Sequence, residues 1–209
     1  KIFDDAFSIY YTGIFQRDPN VYRLATSKEM ISLCNSLGLK KPILISDPLI
    51  MINSSNKDIR TFFTNAPLHQ DWASMQSSEN SIVVWLPLTK IESKKDGGVS
   101  LYEGSHKLGL INTKADEWFA SIDKKMLSQR GLQTEVCPLL SVGDALVFSS
   151  LLVHQTAKIQ ANDSLRFTLQ FRFSDESCQL HRLNNWNYNY NHCLPITSEP
   201  PSHIPKETD

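Results

Sequence analysis

A mainly β protein, a two-sheet or closed antiparallel jelly roll of cupin-like form, is the fold class this sequence predicts. Three observations predict it. From residue 42 to 173 the chain is a succession of short β-rich runs separated by turn signals. The run Leu165 to Phe173 alternates polar and apolar residues without a break. Helical periodicity, by contrast, is concentrated in the first forty positions, where helices packing on the outside of one sheet are expected.

The 209 residues suit one domain with a sizeable core, so a single domain spanning 1–209 is expected, with a helical part at 1–40 and an irregular tail from about 181. Hydrophobic content of 41% and charged content of 21% describe an ordinary soluble globular chain. A net charge of −1 gives no electrostatic footprint for nucleic acid or an anionic membrane surface. The four cysteines (Cys34, Cys137, Cys178, Cys193) show no C-x-x-C spacing, which argues against a zinc ribbon or redox pair and points to a reduced, cytoplasmic protein. Apolar runs such as Ile82 to Leu88 are too short to span a bilayer. No signal peptide is visible at Lys1, although the chain does not begin with Met.

In order along the chain, Phe3, Phe7, Tyr10, Tyr11 and Ile14 recur at helical intervals until Asp18-Pro19-Asn20 breaks the pattern. Ser27 then reads as the N-cap of a second helix with Met30, Ile31, Leu33 and Leu37 on its apolar stripe, and Gly38 as its stop. Strands are expected at 43–45, 49–52, 67–72, 81–88, 98–102, 133–139, 144–154 and 165–173. Trp118, Phe119, Ile122, Met126 and Leu127 give residues 112–130 the spacing of a connecting helix. The tail alternates amides and aromatics through Trp186, Tyr188 and Tyr190 before Pro195, Pro200, Pro201 and Pro205 deny it regular structure. It reads either as a surface segment or as a lid stacking Trp186 and Tyr188 on a substrate.

The chemistry is concentrated in Leu68-His69-Gln70-Asp71-Trp72 and in His154. On an extended strand His69 and Asp71 project to one side and Gln70 and Trp72 to the other. An imidazole and a carboxylate from one strand, joined by a second imidazole from another, make the 2-His-1-carboxylate facial set of non-haem Fe(II) oxygenases, with open positions for co-substrate and oxygen. The tripeptide alone is weak, because a strand histidine is more often hydrogen-bonded structure than ligand. Three features strengthen it. Gly143-Asp144 makes a turn before an apolar strand expected to end at His154, where a buried imidazole needs a partner. On 165–173 one face carries Arg166, Thr168, Gln170 and Arg172 and the other Leu165, Phe167, Leu169, Phe171 and Phe173, so Arg166 faces either a wet cavity, as a fork for a carboxylate, or solvent. Asp96-Gly97-Gly98 and Gly104-Ser105-His106-Lys107 bracket a short strand, and His106, at a turn tip, is not counted as a ligand.

With Val84-Trp85-Leu86-Pro87-Leu88, these segments occur in the order seen in the phytanoyl-CoA dioxygenase-like (PhyH) family, which the chain resembles from about residue 43 to 175. The resemblance implies Fe(II)- and 2-oxoglutarate-dependent dioxygenase chemistry on a double-stranded β-helix. It implies that a small molecule is hydroxylated with O2 while 2-oxoglutarate yields succinate and CO2. His69, Asp71 and His154 would hold the metal, and Arg166 the distal carboxylate of 2-oxoglutarate, with Thr156 and Trp85 beside it. A carboxylate at Asp71, where halogenases of the family have a small residue, favours hydroxylation. The chain departs from the family pattern at Glu103, where proline is common, and it is short for the family. Two further readings stand beside this one: a non-catalytic metal-binding β-barrel module, and a Zn-dependent hydrolase on the same three residues, which would have no use for a buried carboxylate clamp at Arg166. Trp72, Gln170, Arg172 and the tail aromatics are candidate substrate contacts, and the substrate itself is not written in the motifs.

Overall fold

Two antiparallel layers face one another, and the site lies between them. The computed structural model describes residues 13–55, 66–75, 78–111, 114–115, 120–132, 134–160 and 165–179. The expected helix over residues 1–12, the aromatics Trp118 and Phe119, and the amide-aromatic tail lie outside the described residues.

The N-terminal helices carry explicit start and stop chemistry. Asp18 caps helix α1 (Pro19–Ala25) by accepting from Asn20 N at 2.7 Å, with Pro19 in the first turn. Asp18-Pro19 therefore opens a helix rather than merely ending one. Ser27 caps α2 (Lys28–Ser36), accepting from Met30 N at 3.2 Å. The α2 end is a Schellman turn: Leu39 N donates to Cys34 O at 3.1 Å, Gly38 N to Asn35 O at 3.0 Å, and Gly38 takes φ 94°. That turn folds Leu39 back beside Met30 and Cys34, so Cys34 takes the stripe position expected of Leu37, which is the exposed C-cap.

The larger sheet has strands β1 (Pro42–Leu44), β2 (Leu49–Ser54), β3 (Ile82–Pro87), β7 (Leu146–Ser149) and β9 (Leu165–Asp175), all paired antiparallel. Its order is β1-β9-β3-β7, and β2 pairs with the first half of β9 on the edge that β1 uses further along. One face of this sheet presents Ile82, Val84, Leu169, Phe171 and Phe173 to Ala25, Met30, Cys34 and Leu39, so the helices cover it from outside. Burying such side chains is worth about 1.5–3 kcal/mol each, which anchors β9 at the centre of the sheet.

The second layer is built around β4 (Val99–Leu101) and β8 (His154–Thr156). His69 is bridged to His154 on one side and Val136 to Leu101 on the other. Between the layers pack Val83, Trp85, Phe148, Val99, Leu101 and Ile91. A further pair, β5 (Lys114–Ala115) and β6 (Ala120–Ser121), precedes a short helix α4 (Lys124–Gln129) capped by Asp123.

Four elements differ from expectation. The 67–72 run has only a bridge at His69 before a helix begins at Trp72. Among the described residues of the 112–130 stretch only α4 is helical, because Asp123 starts a helix there, and Lys114–Ala115 and Ala120–Ser121 pair as β5 and β6. The described residues 134–139 form no strand; Val136 makes an isolated bridge to Leu101, with Leu140 bridging Ile91 just beyond the span. The 144–154 run is two strands. The chain leaves the larger sheet after Ser149, crosses through Ser150–Val153 and enters the second layer at His154. Serine side chains drive that crossing by competing for the backbone: Ser149 Oγ accepts from Leu151 N at 3.2 Å, and Ser105 Oγ from Val153 N at 2.8 Å.

Candidate metal and co-substrate site

The crossing delivers His154 opposite His69. The two residues exchange both backbone hydrogen bonds, His69 N to His154 O at 2.9 Å and His154 N to His69 O at 3.1 Å. Directly opposed residues of an antiparallel pair put their side chains on one face, and the ring centroids are 4.3 Å apart. Asp71 reaches them differently from the strand alternation expected. It opens the one-turn helix α3 (Trp72–Met75), its carbonyl accepting from Ser74 N and Met75 N at 3.0 Å each. Its carboxylate nonetheless converges, with Oδ2 3.6 Å from His154 Nε2 and Oδ1 3.8 Å from His69 Nε2. One ligand atom from each of the three lies within 4.8 Å of the others, and all three residues are buried.

Each imidazole is held in one tautomer. His69 Nδ1 lies 2.7 Å from Pro67 O and His154 Nδ1 2.9 Å from Leu152 O. A carbonyl only accepts, so each Nδ1 carries the proton and each Nε2 keeps its lone pair for the space shared with Asp71. Burial, reinforced by the neighbouring His69, lowers the His154 pKa to about 4, so its ring is neutral at physiological pH. Burial raises the Asp71 pKa, but the Arg172 guanidinium and the two imidazoles outweigh it and hold the carboxyl well below the usual carboxylate range. The result is two imidazole nitrogens, that of His154 neutral at physiological pH, and one anionic oxygen donor, a set that suits a divalent transition metal.

Gln70, expected on the opposite side, is a structural tie that sequence patterning could not assign. Its amide donates to Gly109 O at 2.7 Å and to Leu151 O at 2.6 Å, and its carbonyl accepts from Ile111 N at 2.9 Å. Trp72 donates its backbone N–H to Ser150 O at 2.9 Å and packs with Leu110 and Leu151. The His-Gln-Asp segment is thereby pinned on its far side to the loop that carries the chain into His154. Trp72 thus belongs to the packing behind the site rather than to its wall. His106 is exposed, as its turn position implied.

The inward face of β9 forms the opposite wall. Arg166, Gln170 and Arg172 line the cavity that contains His69, Asp71 and His154; it encloses roughly 580 Å³, part of it open to solvent. Trp85, Thr156 and Gln155 line it too, among the apolar Leu49, Met51, Val99 and Phe148. Arg166 is only 3% exposed. It donates to Gly98 O at 3.2 Å and to Asn53 Oδ1, and its guanidinium lies 5.7 Å from the centre of the Trp85 ring. Gly98 supplies that carbonyl from a tight place, where a Cβ would sit 3.1 Å from both Cys137 Sγ and Ile91 Cγ2 and those side chains would have to give by a few tenths of an ångström. Among the described residues no carboxylate pairs with Arg166, and its Nε has no hydrogen-bond partner. Burial accordingly lowers its pKa to about 10. Arg172 meets Asp71 Oδ1 at 3.3 Å and Gln170 Oε1 at 3.1 Å. Thr156 Oγ1 accepts from Ala66 N at 3.2 Å while facing the same space.

A family model described as phytanoyl-CoA dioxygenase (PhyH) matches residues 3–167. No curated protein matches the sequence. Among solved structures, the epimerase SnoN in complex with Fe3+, alpha ketoglutarate and nogalamycin RO is similar with a TM-score of 0.64 and 16% identity, covering 95% of this chain and 73% of that one. The non-heme alpha ketoglutarate dependent carbocyclase SnoK from nogalamycin biosynthesis gives 0.58 and 18%, covering 88% and 71%. HygX from Streptomyces hygroscopicus, with nickel, 2-oxoglutarate and hygromycin B bound, gives 0.54 and 15%, covering 83% and 75%. At such identities these likenesses speak to the fold, which is mainly β with antiparallel sheets and few helices.

Proposed function

The chain belongs to the phytanoyl-CoA dioxygenase (PhyH) family, and from that premise we propose that it is a non-haem Fe(II)- and 2-oxoglutarate-dependent dioxygenase that hydroxylates a small molecule. Its two antiparallel layers are read as a double-stranded β-helix forming one domain. One observation carries the proposal. A cavity with a His-Asp-His donor set at one place also holds a buried guanidinium, Arg166, that has no carboxylate partner among the described residues. Leaving such a cation unpaired is costly, and a dianionic keto acid supplies what each place lacks: a chelating end for a metal and a distal carboxylate for the guanidinium. The binding of 2-oxoglutarate by SnoN and HygX accords with this reading.

His69 Nε2, His154 Nε2 and the Asp71 carboxylate are assigned to hold Fe(II). When bound, Fe(II) supplies the redox centre at which O2 is reduced while 2-oxoglutarate is decarboxylated to succinate and CO2. The protein's own contributions are positional and electrostatic. Pro67 O and Leu152 O hold the two rings so that Nε2 faces inward. Arg166, braced by Gly98 O, Asn53 and the Trp85 ring, would offer its remaining N–H groups to the co-substrate carboxylate, a charge-assisted contact of the kind guanidinium makes best. Thr156 and Trp85, which line the same cavity, are assigned to stand beside that carboxylate when it is bound. Leu49, Met51, Val99 and Phe148 make part of the wall apolar, which lowers the local dielectric and strengthens each of these interactions.

Hydroxylation is the outcome we assign, since the third donor is a carboxylate and not a small residue. The epimerase and carbocyclase among the neighbours show that this fold carries other outcomes in other proteins. The test is turnover of 2-oxoglutarate to succinate by the Fe(II)-loaded protein, alone and with a panel of small molecules, with product mass recorded. Succinate formation and a gain of one oxygen in a panel compound are expected. A folded, iron-loaded protein forming no succinate under any condition would favour a metal-binding module without turnover.

A further inference from the structure

The inward face of β9 carries two guanidiniums, and they are wired differently. Arg166 has no carboxylate partner among the described residues, whereas Arg172 lies nearer the Asp71 carboxylate than either imidazole does, 3.3 Å to Oδ1 against 3.6 and 3.8 Å. Arg172 is in turn oriented by Gln170 Oε1 at 3.1 Å, and Gln170 stands two positions before it on the same strand face. Asp71 belongs to the second layer and Arg172 to the larger sheet, where it pairs in register with Val83. The contact therefore spans the site from one layer to the other. Asp71 itself sits at the head of a helix of four residues, α3, and a short helix fixes the rotamer of its first carboxylate poorly unless something else grips it.

We propose that Arg172 is a positioning residue of the metal centre. Its guanidinium holds Asp71 Oδ1, under the control of Gln170, so that the carboxylate offers Oδ2 as a single donor beside the two Nε2 atoms. The inference rests on the assignment of His69, Asp71 and His154 as the metal-holding set. It divides the work of the two arginines: Arg166 serves a carboxylate brought in by a ligand, Arg172 one that belongs to the protein. A one-oxygen carboxylate leaves more of the coordination sphere for exchangeable ligands than a two-oxygen one. A partner that orients a ligand in this way is worth about 10- to 100-fold in metal affinity.

The test is a double-mutant cycle read with Co2+ alone, by titrating the full chain and following visible absorption. Arg172→Gln is expected to weaken Co2+ binding about 10- to 100-fold in the wild-type background. In an Asp71→Asn background the same change should alter affinity less than about twofold, because the group it positions is gone. The visible spectrum of Co2+-loaded Arg172→Gln should also differ from wild type in shape, which a loss of general stability does not produce. An equal loss in both backgrounds, or no loss in the first, overturns the assignment. Should Arg172→Gln fail to fold, Gln170→Met removes the anchor and leaves the ion pair. It should weaken Co2+ binding at least about threefold with Asp71 present, and unchanged affinity there overturns the proposal. Wild type that binds no Co2+, or Asp71→Asn that binds as tightly as wild type, overturns the metal set itself and this inference with it. Asp71→Asn weakened with Arg172→Gln unchanged removes only the inference.

Discussion

Arg166→Met should separate co-substrate binding from metal binding. The guanidinium is 3% exposed, has no carboxylate partner among the described residues, and burial has lowered its pKa from the ordinary guanidinium range to about 10. That depression corresponds to roughly 3 kcal/mol of uncompensated desolvation of the charged form. A ligand carboxylate docking on the guanidinium recovers energy of this order, so its removal is expected to weaken 2-oxoglutarate binding by about 100-fold. Metal affinity should change little, because Arg166 touches none of the three donor residues. The folded apoprotein should also be little affected. Methionine loses the bonds to Gly98 O and Asn53, about 1.5–3 kcal/mol each, but it escapes a desolvation of similar size. The assay is calorimetric titration of Co2+-loaded protein with 2-oxoglutarate, repeated with a keto acid that lacks the distal carboxylate. The shorter acid should bind wild type and variant alike. A 2-oxoglutarate affinity within about threefold of wild type, or a metal affinity that falls in parallel, would refute the reasoning.

Other expectations follow from the same geometry. Asp71→Ala should abolish succinate formation and also destabilise the fold by about 1–3 kcal/mol in urea denaturation, since it removes a carboxylate that a buried guanidinium contacts; undiminished turnover would show that the carboxylate is not a needed donor. Gln70→Leu should cost about 2–4 kcal/mol, because it leaves two carbonyls and one N–H without their side-chain partner while keeping the volume. Asp175 links stability to pH. Burial raises its pKa, but hydrogen bonds from Lys40 N, Lys41 N and Ser177 outweigh it and leave the carboxyl below its ordinary value. A carboxyl depressed in the folded state contributes stability above its unfolded pKa, roughly 4, and loses it as pH falls through the folded value. Denaturation midpoints taken from pH 7 to pH 2 should therefore fall less steeply below pH 4 in Asp175→Asn than in wild type.

Much of this site was legible in the sequence, for reasons that differ from residue to residue. The alternation of 165–173 assigned one face of β9 to a core and the other to a wet cavity or solvent; Leu169, Phe171 and Phe173 do meet the helices, and Arg166, Gln170 and Arg172 line the cavity. His69 and His154 were readable as a pair only because the motif order suggested it; no local pattern announces that residues so far apart will exchange backbone bonds. Period-two reasoning placed Asp71 beside His69 by the wrong route, since an aspartate can open a helix and still aim its carboxylate at a neighbouring strand. The break at Ser150–Val153 was hidden for a similar reason. Its residues are apolar enough to pass for strand, and the serine bonds that turn the chain join positions remote in sequence, such as Ser105 and Val153. Nor does alternation say which of two inward arginines meets a protein carboxylate. That depends on where the opposite layer puts Asp71, a tertiary fact. Gln70 shows the same limit: its partners, Gly109, Ile111 and Leu151, are supplied by loops that only the assembled layers bring together.

The most direct measurement is an anomalous difference map from crystals grown without oxygen in Fe(II) and 2-oxoglutarate. A single iron peak bounded by His69 Nε2, His154 Nε2 and the Asp71 carboxylate, with the far carboxylate of the co-substrate on Arg166, is the predicted result. Iron bound away from these three residues, or a co-substrate that leaves Arg166 without a carboxylate, would contradict the account.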